Sequence, residues 1–158
     1  MKGFTLIEVI VTVAVTLVVT GFVIVNYNSY NDRQTLKQSG LTLKNNLRFA
    51  QTKALTGQIP PTVTCSELSG YVVSFAAKTY SIQATCDPEG IVGNPQNIDL
   101  PPSVTFSPVP SPITFNVLSR GTTLTSNQCL ILTSLGQFYR ISVRTNGDIS
   151  DIGSGVCP

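Results

Sequence analysis

The chain has 158 residues, of which 42% are hydrophobic and 11% charged, well under the roughly 25% charge of an ordinary soluble domain. A chain of this length houses one core rather than two. It has no histidine, which removes the commonest general base and the commonest zinc ligand, and with them His-dependent triads and most metal hydrolases. A net charge of +2 is too small to mark a dedicated nucleic-acid binder. Four cysteines without a C-x-x-C pair point to disulfides and an oxidising compartment, not a metal site.

The run from Phe4 to Val25 is apolar apart from one charge, Glu8, and a few threonines. As a helix rising about 1.5 Å per residue it spans about 33 Å, the thickness of a bilayer hydrocarbon core. Val, Ile and Thr are mediocre helix formers in water, but in lipid the backbone must bond to itself and the helix wins. A secretory signal peptide has a different layout. The apolar run exceeds the usual core of roughly 7–15 residues, and Asn26-Tyr27-Asn28-Ser29-Tyr30 offers no small-residue cleavage site. Glu8 is the anomaly, since a carboxylate in an apolar helix calls for a partner, either at the headgroup level beside the helix start or on another chain.

Gly3-Phe4-Thr5-Leu6-Ile7-Glu8, followed by the apolar run, resembles the prepilin signature of type IV filament proteins: pilins, minor pilins and type II secretion pseudopilins. The resemblance implies a leader at 1–3, shorter than is common in the family, and cleavage by prepilin peptidase between Gly3 and Phe4. It also implies methylation of the new N-terminal Phe4 and filament assembly through Glu8. Cleavage creates a cationic amine at the head of an apolar helix. An incoming subunit can then set its amine against the Glu8 of a neighbour, where low dielectric strengthens the pair. Lys2 keeps the leader cytoplasmic, which places the chain beyond residue 26 outside.

The helical pattern continues over 26–57. Leu36, Leu43, Leu47, Ala50 and Ala54 share one stripe, Gly57 is the expected stop with Pro60-Pro61 beyond, and Gly21 and Gly40 are the expected weak points. Arg33, Lys37, Lys44 and Arg48 form a basic stripe beside the apolar one, and Lys53 lies off it. The stripe is read either as a solvated face or as a contact for acidic groups of neighbouring filament subunits, with headgroups reaching only its first residues.

The region 58–158 is expected to be a β-rich domain. Tyr71–Phe75 and Thr79–Ala84 flank a short turn and read as a hairpin. Val104–Phe106, Ile113–Val117, Cys129–Thr133 and Phe138–Val143 follow, with turns at Gly136-Gln137 and Asn146-Gly147-Asp148. Seven of the ten prolines fall in 88–112, expected as a long stiff loop broken by short extended pieces. The fold class is α+β: a long N-terminal helix, membrane-spanning in its first half, packed on a small antiparallel β-sandwich. This order is similar to the pilin fold. More narrowly, Leu47–Ala54, Gly70–Val73, Ile113–Phe115 with Gly121, Tyr139–Val143 and Asn146–Ile149 resemble the pseudopilin H/FimT-type branch, whose members are low-abundance filament components.

Cys65, Cys86, Cys129 and Cys157 allow three pairings. The pairs 65–86 and 129–157 are favoured because each closes a local unit, and the second ties down the tail 151–158. The acids besides Glu8 are scattered and no Gly-rich phosphate loop opens a helix, so no catalytic residue or cofactor is expected and the chain is not read as an enzyme. Asp148 and Asp151 by themselves are too few ligands for calcium, and no metal is expected. Arg140 and Arg144 are the candidate contacts for DNA or another partner. They supply few phosphate contacts, and the tail has no basic residue, which argues against nucleic acid as a partner. The expected partners are other pilin or pseudopilin subunits, prepilin peptidase, the inner-membrane assembly platform and membrane lipid. The expected place is the cytoplasmic (inner) membrane, single-pass, with the C-terminal domain periplasmic. A minor pilin or pseudopilin is the first reading. A DNA-uptake minor pilin, a major pilin and, remotely, a membrane-tethered enzyme are the alternatives.

Overall fold

A computed structural model describes residues 5–61, 63–118 and 121–157, with only the backbone for residues 22–29. The leader 1–3 and the expected cleavage and methylation positions Gly3 and Phe4 lie outside the described residues.

α1 (Leu6–Leu55) is a single helix of 50 residues. Its end is set where the sequence placed it. Gly57 takes the left-handed conformation at φ 62. Its N–H bonds to Ala54 O at 3.1 Å and that of Gln58 to Lys53 O at 3.2 Å, the two bonds of a Schellman motif that satisfy the last carbonyls. The Tyr71 hydroxyl then donates to Gln58 O at 2.6 Å and pins the departing chain. The stripe Leu36, Leu43, Leu47, Ala50 and Ala54 is at most 4% exposed. Burying each leucine contributes on the order of 2 kcal/mol, which holds this half of the helix to the domain.

The expected weak points do not interrupt α1, which runs through both Gly21 and Gly40. Gly40 has another role: a Cβ there would overlap Cδ1 and Cε1 of Tyr139, so the glycine lets the tyrosine ring lie against the helix backbone. Gly21 has nothing within contact range.

The strands β1 (Glu67–Phe75), β2 (Thr79–Asp87), β3 (Gly90–Asp99) and β5 (Ile113–Asn116) form one antiparallel sheet in the order β3-β2-β1-β5. The strands β4 (Thr105–Phe106), β6 (Gln128–Ser134), β7 (Gln137–Val143) and β8 (Ile149–Gly153) form a second in the order β4-β6-β7-β8. The expected hairpin is β1–β2, with Val73 opposite Ile82 and Phe75 opposite Tyr80. β2 alternates strictly, burying Tyr80, Ile82, Ala84 and Cys86. Both sheets pack against α1 and share one apolar core with its stripe. Phe106 of the second sheet joins them, edge-on to Phe75 at 5.4 Å and to Tyr80 at 6.3 Å between ring centroids.

Three expectations need correction. The segment 88–112 is not a long loop broken only by short extended pieces: β3 fills the ten residues Gly90–Asp99 and β4 follows. Its prolines concealed the strand because β3 is an edge strand with an irregular register. Ile82 faces Gln96 while Ala84 faces Val92, leaving Gly93, Asn94 and Pro95 opposite Gln83 alone, and a bulge at an edge is where proline is tolerated. Residues 149–153 form β8 rather than the start of a tail, held by Ile149 in the core. The turn between β6 and β7 is Leu135-Gly136, one residue earlier than read. Ser134 pairs with Gln137, and both turn residues have positive φ (46 and 77), a type I′ turn. Holding leucine there costs on the order of 1 kcal/mol.

Candidate functional site

The head of α1 is bare. Leu6, Ile7, Val9, Ile10, Val11, Val13, Val15, Leu17, Val18 and Val19 are each more than half exposed. A run of apolar side chains this long has no place in water without a cover. The threonines among them turn their hydroxyls inward: Thr12 donates to Val9 O at 2.9 Å, Thr20 to Thr16 O at 2.7 Å, and Thr16 to Thr12 O. The surface that remains is therefore almost wholly hydrocarbon. Glu8 lies in the first turn, exposed and without an ion pair among the described residues. Among the described residues no helix is long and apolar enough to cross a membrane, and of the expected span Phe4–Val25 both Phe4 and the side chains of 22–25 lie outside the described residues.

The basic stripe divides along the helix. Lys44 is drawn into the domain, its Nζ 3.8 Å from Asp151 Oδ2. The same oxygen accepts the Tyr139 hydroxyl at 2.7 Å, and Asp151 Oδ1 accepts the Gly153 N–H at 3.0 Å. Burial, reinforced by the hydrogen bond and charge of Asp151, pushes the Tyr139 phenol above its ordinary value. Arg33, Lys37 and Arg48 are exposed and form no ion pair among the described residues. Lys53 sits 4.5 Å from the Phe49 ring centroid and 5.7 Å from that of Tyr71, shared between two aromatic faces.

β7 runs alongside α1 in the same direction. Phe138 and Tyr139 line a cavity of about 360 Å³ with Arg33, Leu36 and Lys37. Further along, Tyr139 meets Gly40, and the turn beyond the strand accepts a 2.8 Å bond at Gly147 O from Gln51 Nε2. The β6–β7 turn is therefore at the end of the domain nearest the bare half of α1, and the helix terminus is at the other end.

Arg140 and Arg144 are engaged separately. Arg140 donates to Ser154 O at 3.0 Å and Gly155 O at 2.9 Å, with its guanidinium 5.2 Å from the Phe138 ring centroid. Arg144 lies one residue beyond β7, 3.6 Å from Asp148 Oδ2. Asp148 and Asp151 thus answer different cations and do not face a common point. Both favoured disulfides are formed. Cys65–Cys86 ties the approach to β1 to β2, and Cys129–Cys157 ties β6 to the chain end, with Cα atoms 5.7 and 6.2 Å apart.

The β1–β2 register brings together two acids that looked unrelated in the sequence, Glu67 opposite Asp87. Counting back from the hairpin turn would have set Glu67 against Pro88, because the irregularity between Leu68 and Gly70 shifts the register by one. Nearby, the Ser66 hydroxyl donates to Glu89 Oε1 at 2.5 Å and holds that carboxyl below its usual range. All three acids are exposed, and among the described residues no cluster of His, Cys, Asp or Glu is placed to hold a metal ion.

No family model, no curated protein and no solved structure matches the chain.

Proposed function

We propose that this chain is a structural minor subunit, a minor pilin or pseudopilin, of a type IV filament-like machine. In this reading prepilin peptidase cuts between Gly3 and Phe4, and the apolar head of α1 spans the cytoplasmic membrane before entering a filament. The β-domain then stands on the outer side. The observation that carries the reading is the two-part character of α1. One continuous helix has the apolar stripe of its second half buried in a folded domain, while the apolar side chains from Leu6 to Val19 stand bare behind a prepilin-type start. A globular enzyme has no use for such an element, whereas a subunit that moves from bilayer to helix bundle needs one that is apolar all round. The inward-turned threonine hydroxyls suit both environments.

Glu8 fits the same reading. Exposed on the lipid-facing head and without an ion pair among the described residues, it is satisfied when the Phe4 amine of an adjoining subunit comes alongside. The disulfides agree with an exported domain.

Quantitative mass spectrometry of sheared surface filaments and of the cell envelope tests the proposal, with the N-terminal peptide read in the same run. A methylated Phe4 terminus at trace ratio in filaments identifies a minor pilin. The same peptide confined to the envelope identifies a secretion pseudopilin. An intact Met1 terminus in mature envelope refutes the processing step. Glu8→Ala is expected to leave both disulfides formed and the protein in the membrane while removing it from filaments.

A further inference from the structure

We propose that the membrane-proximal end of the β-domain, the β6–β7 turn at Leu135 with Phe138 and the cations Arg33 and Lys37, rests on the anionic headgroups of the membrane in which α1 is anchored. The inference rests on the membrane-anchored reading above and adds a second contact to it.

Leu135 is the observation that starts the argument. A type I′ turn favours Asn-Gly, yet leucine occupies the first position at φ 46 with its side chain 77% exposed. Nothing within the domain is gained by an apolar side chain held in that conformation and pointed at solvent. Phe138, two residues beyond the turn, is also nearly half exposed. Leu135 lies at the level of Asp32 and Arg33, with which it shares a recess, and Phe138 lines a cavity with Arg33, Leu36 and Lys37.

That level is close to the bilayer. The apolar run ends at Val25, and seven further residues of helix place Asp32 about 10 Å beyond it. The headgroup layer occupies about 5–8 Å of that distance. The remaining gap is within reach of a snorkelling arginine and of a hydrophobic turn. It is also well inside the Debye length of about 8 Å over which anionic lipids attract cations. Arg33 and Lys37 flank Phe138 and have no acidic partner among the described residues. Asp32 is the one acid that lines the Leu135 recess, and Arg33 beside it and Lys37 leave a net positive charge. Apolar tips framed by cations are the composition of an interfacial contact.

The chain has no tryptophan, so a single introduced indole reports its own position. Four full-length variants, Val15→Trp, Leu135→Trp, Phe138→Trp and Ile59→Trp, are reconstituted in vesicles containing phosphatidylglycerol. Quenching is read with bromine on the acyl chains or a nitroxide on the headgroups. Val15→Trp is expected to be quenched from the acyl chains. Leu135→Trp is expected to be quenched from the headgroups several-fold more than Ile59→Trp at the far end of the helix. That quenching should fall when Arg33 and Lys37 are changed to glutamate or when the lipid is made zwitterionic. Phe138→Trp, on ordinary strand backbone, repeats the reading should the turn not accept tryptophan. If Val15→Trp is quenched while Leu135→Trp and Phe138→Trp behave like Ile59→Trp, the anchor stands and the second contact is refuted. Blue-shifted but unquenched emission at 135 or 138 refutes it in favour of burial against another copy of the chain. An unquenched Val15→Trp overturns the anchored reading, and the second contact with it.

Discussion

Substituting alanine for Gly40 sets two effects of opposite sign against each other. In a helix interior Gly→Ala is worth about 1 kcal/mol of stabilisation from backbone entropy alone. At Gly40 the added Cβ overlaps the Tyr139 ring, and overpacking of this kind costs about 1–3 kcal/mol. The ring is also not free to step aside, because its hydroxyl is bonded to Asp151 at 2.7 Å and that carboxylate is paired with Lys44. Moving it puts at risk a charge-assisted bond worth about 1.5–3 kcal/mol. The expected balance is a net loss of about 1–3 kcal/mol, which for a chain of this size lowers Tm by about 3–10 °C. Gly21→Ala serves as the internal control, with nothing near its Cβ, and should be neutral or stabilising. Thermal unfolding of the full chain in detergent, followed by tyrosine near-ultraviolet circular dichroism, reads both. Tyr139→Leu should make Gly40→Ala harmless, since it removes both the ring and the bond. Equal stabilisation by Gly40→Ala and Gly21→Ala would refute the close approach of Tyr139 to the helix.

Stability should be insensitive to pH through the neutral range and fall above about pH 10. The unfolded chain then loses its tyrosine protons while Tyr139, Tyr80 and Tyr71, all raised by burial, keep theirs. Tyr139→Phe should flatten that alkaline decline in denaturant titrations, at the expense of the Asp151 bond. Replacing Cys129 and Cys157 by alanine releases a cross-link spanning 28 residues. It should cost about 3.5 kcal/mol by chain entropy, with β8 the first element to lose hydrogen-exchange protection. Arg140→Ala removes both bonds to Ser154 and Gly155. It should speed proteolysis of residues 154–157 without shifting the main unfolding transition, whereas an equal shift in Tm would refute a role confined to the tail.

The parts of the fold legible in the sequence were those with a period. Five apolar residues at helical spacing marked the buried face of α1, Gly57 marked its end, and strict alternation marked β2. What hid was set by contacts between distant segments. β3 looked like loop because Pro95 is acceptable only at a bulge on an edge, and sequence does not say which strand will be the edge. Gly40 looked like a weakness because its partner lies on β7. Arg140 and Arg144 looked alike, but one is bound to tail carbonyls and the other to a turn aspartate, both settled by the course of the chain after β7. The charged and apolar marks at the head of α1 were plain in the sequence because they act one residue at a time and need no fold to be read.

The side-by-side course of β7 and α1 also has a mechanical meaning. The Tyr139 ring of β7 on Gly40, the pair of Lys44 with Asp151 of β8 and the Gln51 bond to Gly147 in the turn between those strands are successive rungs along α1, with the Cys129–Cys157 link closing the loop behind them. A pull along the helix axis loads those rungs in shear, so they share the force and must fail together. A pull across the axis would peel them one at a time. A domain fastened in this way withstands tension along its helix, the direction in which a fibre built of parallel helices is stretched.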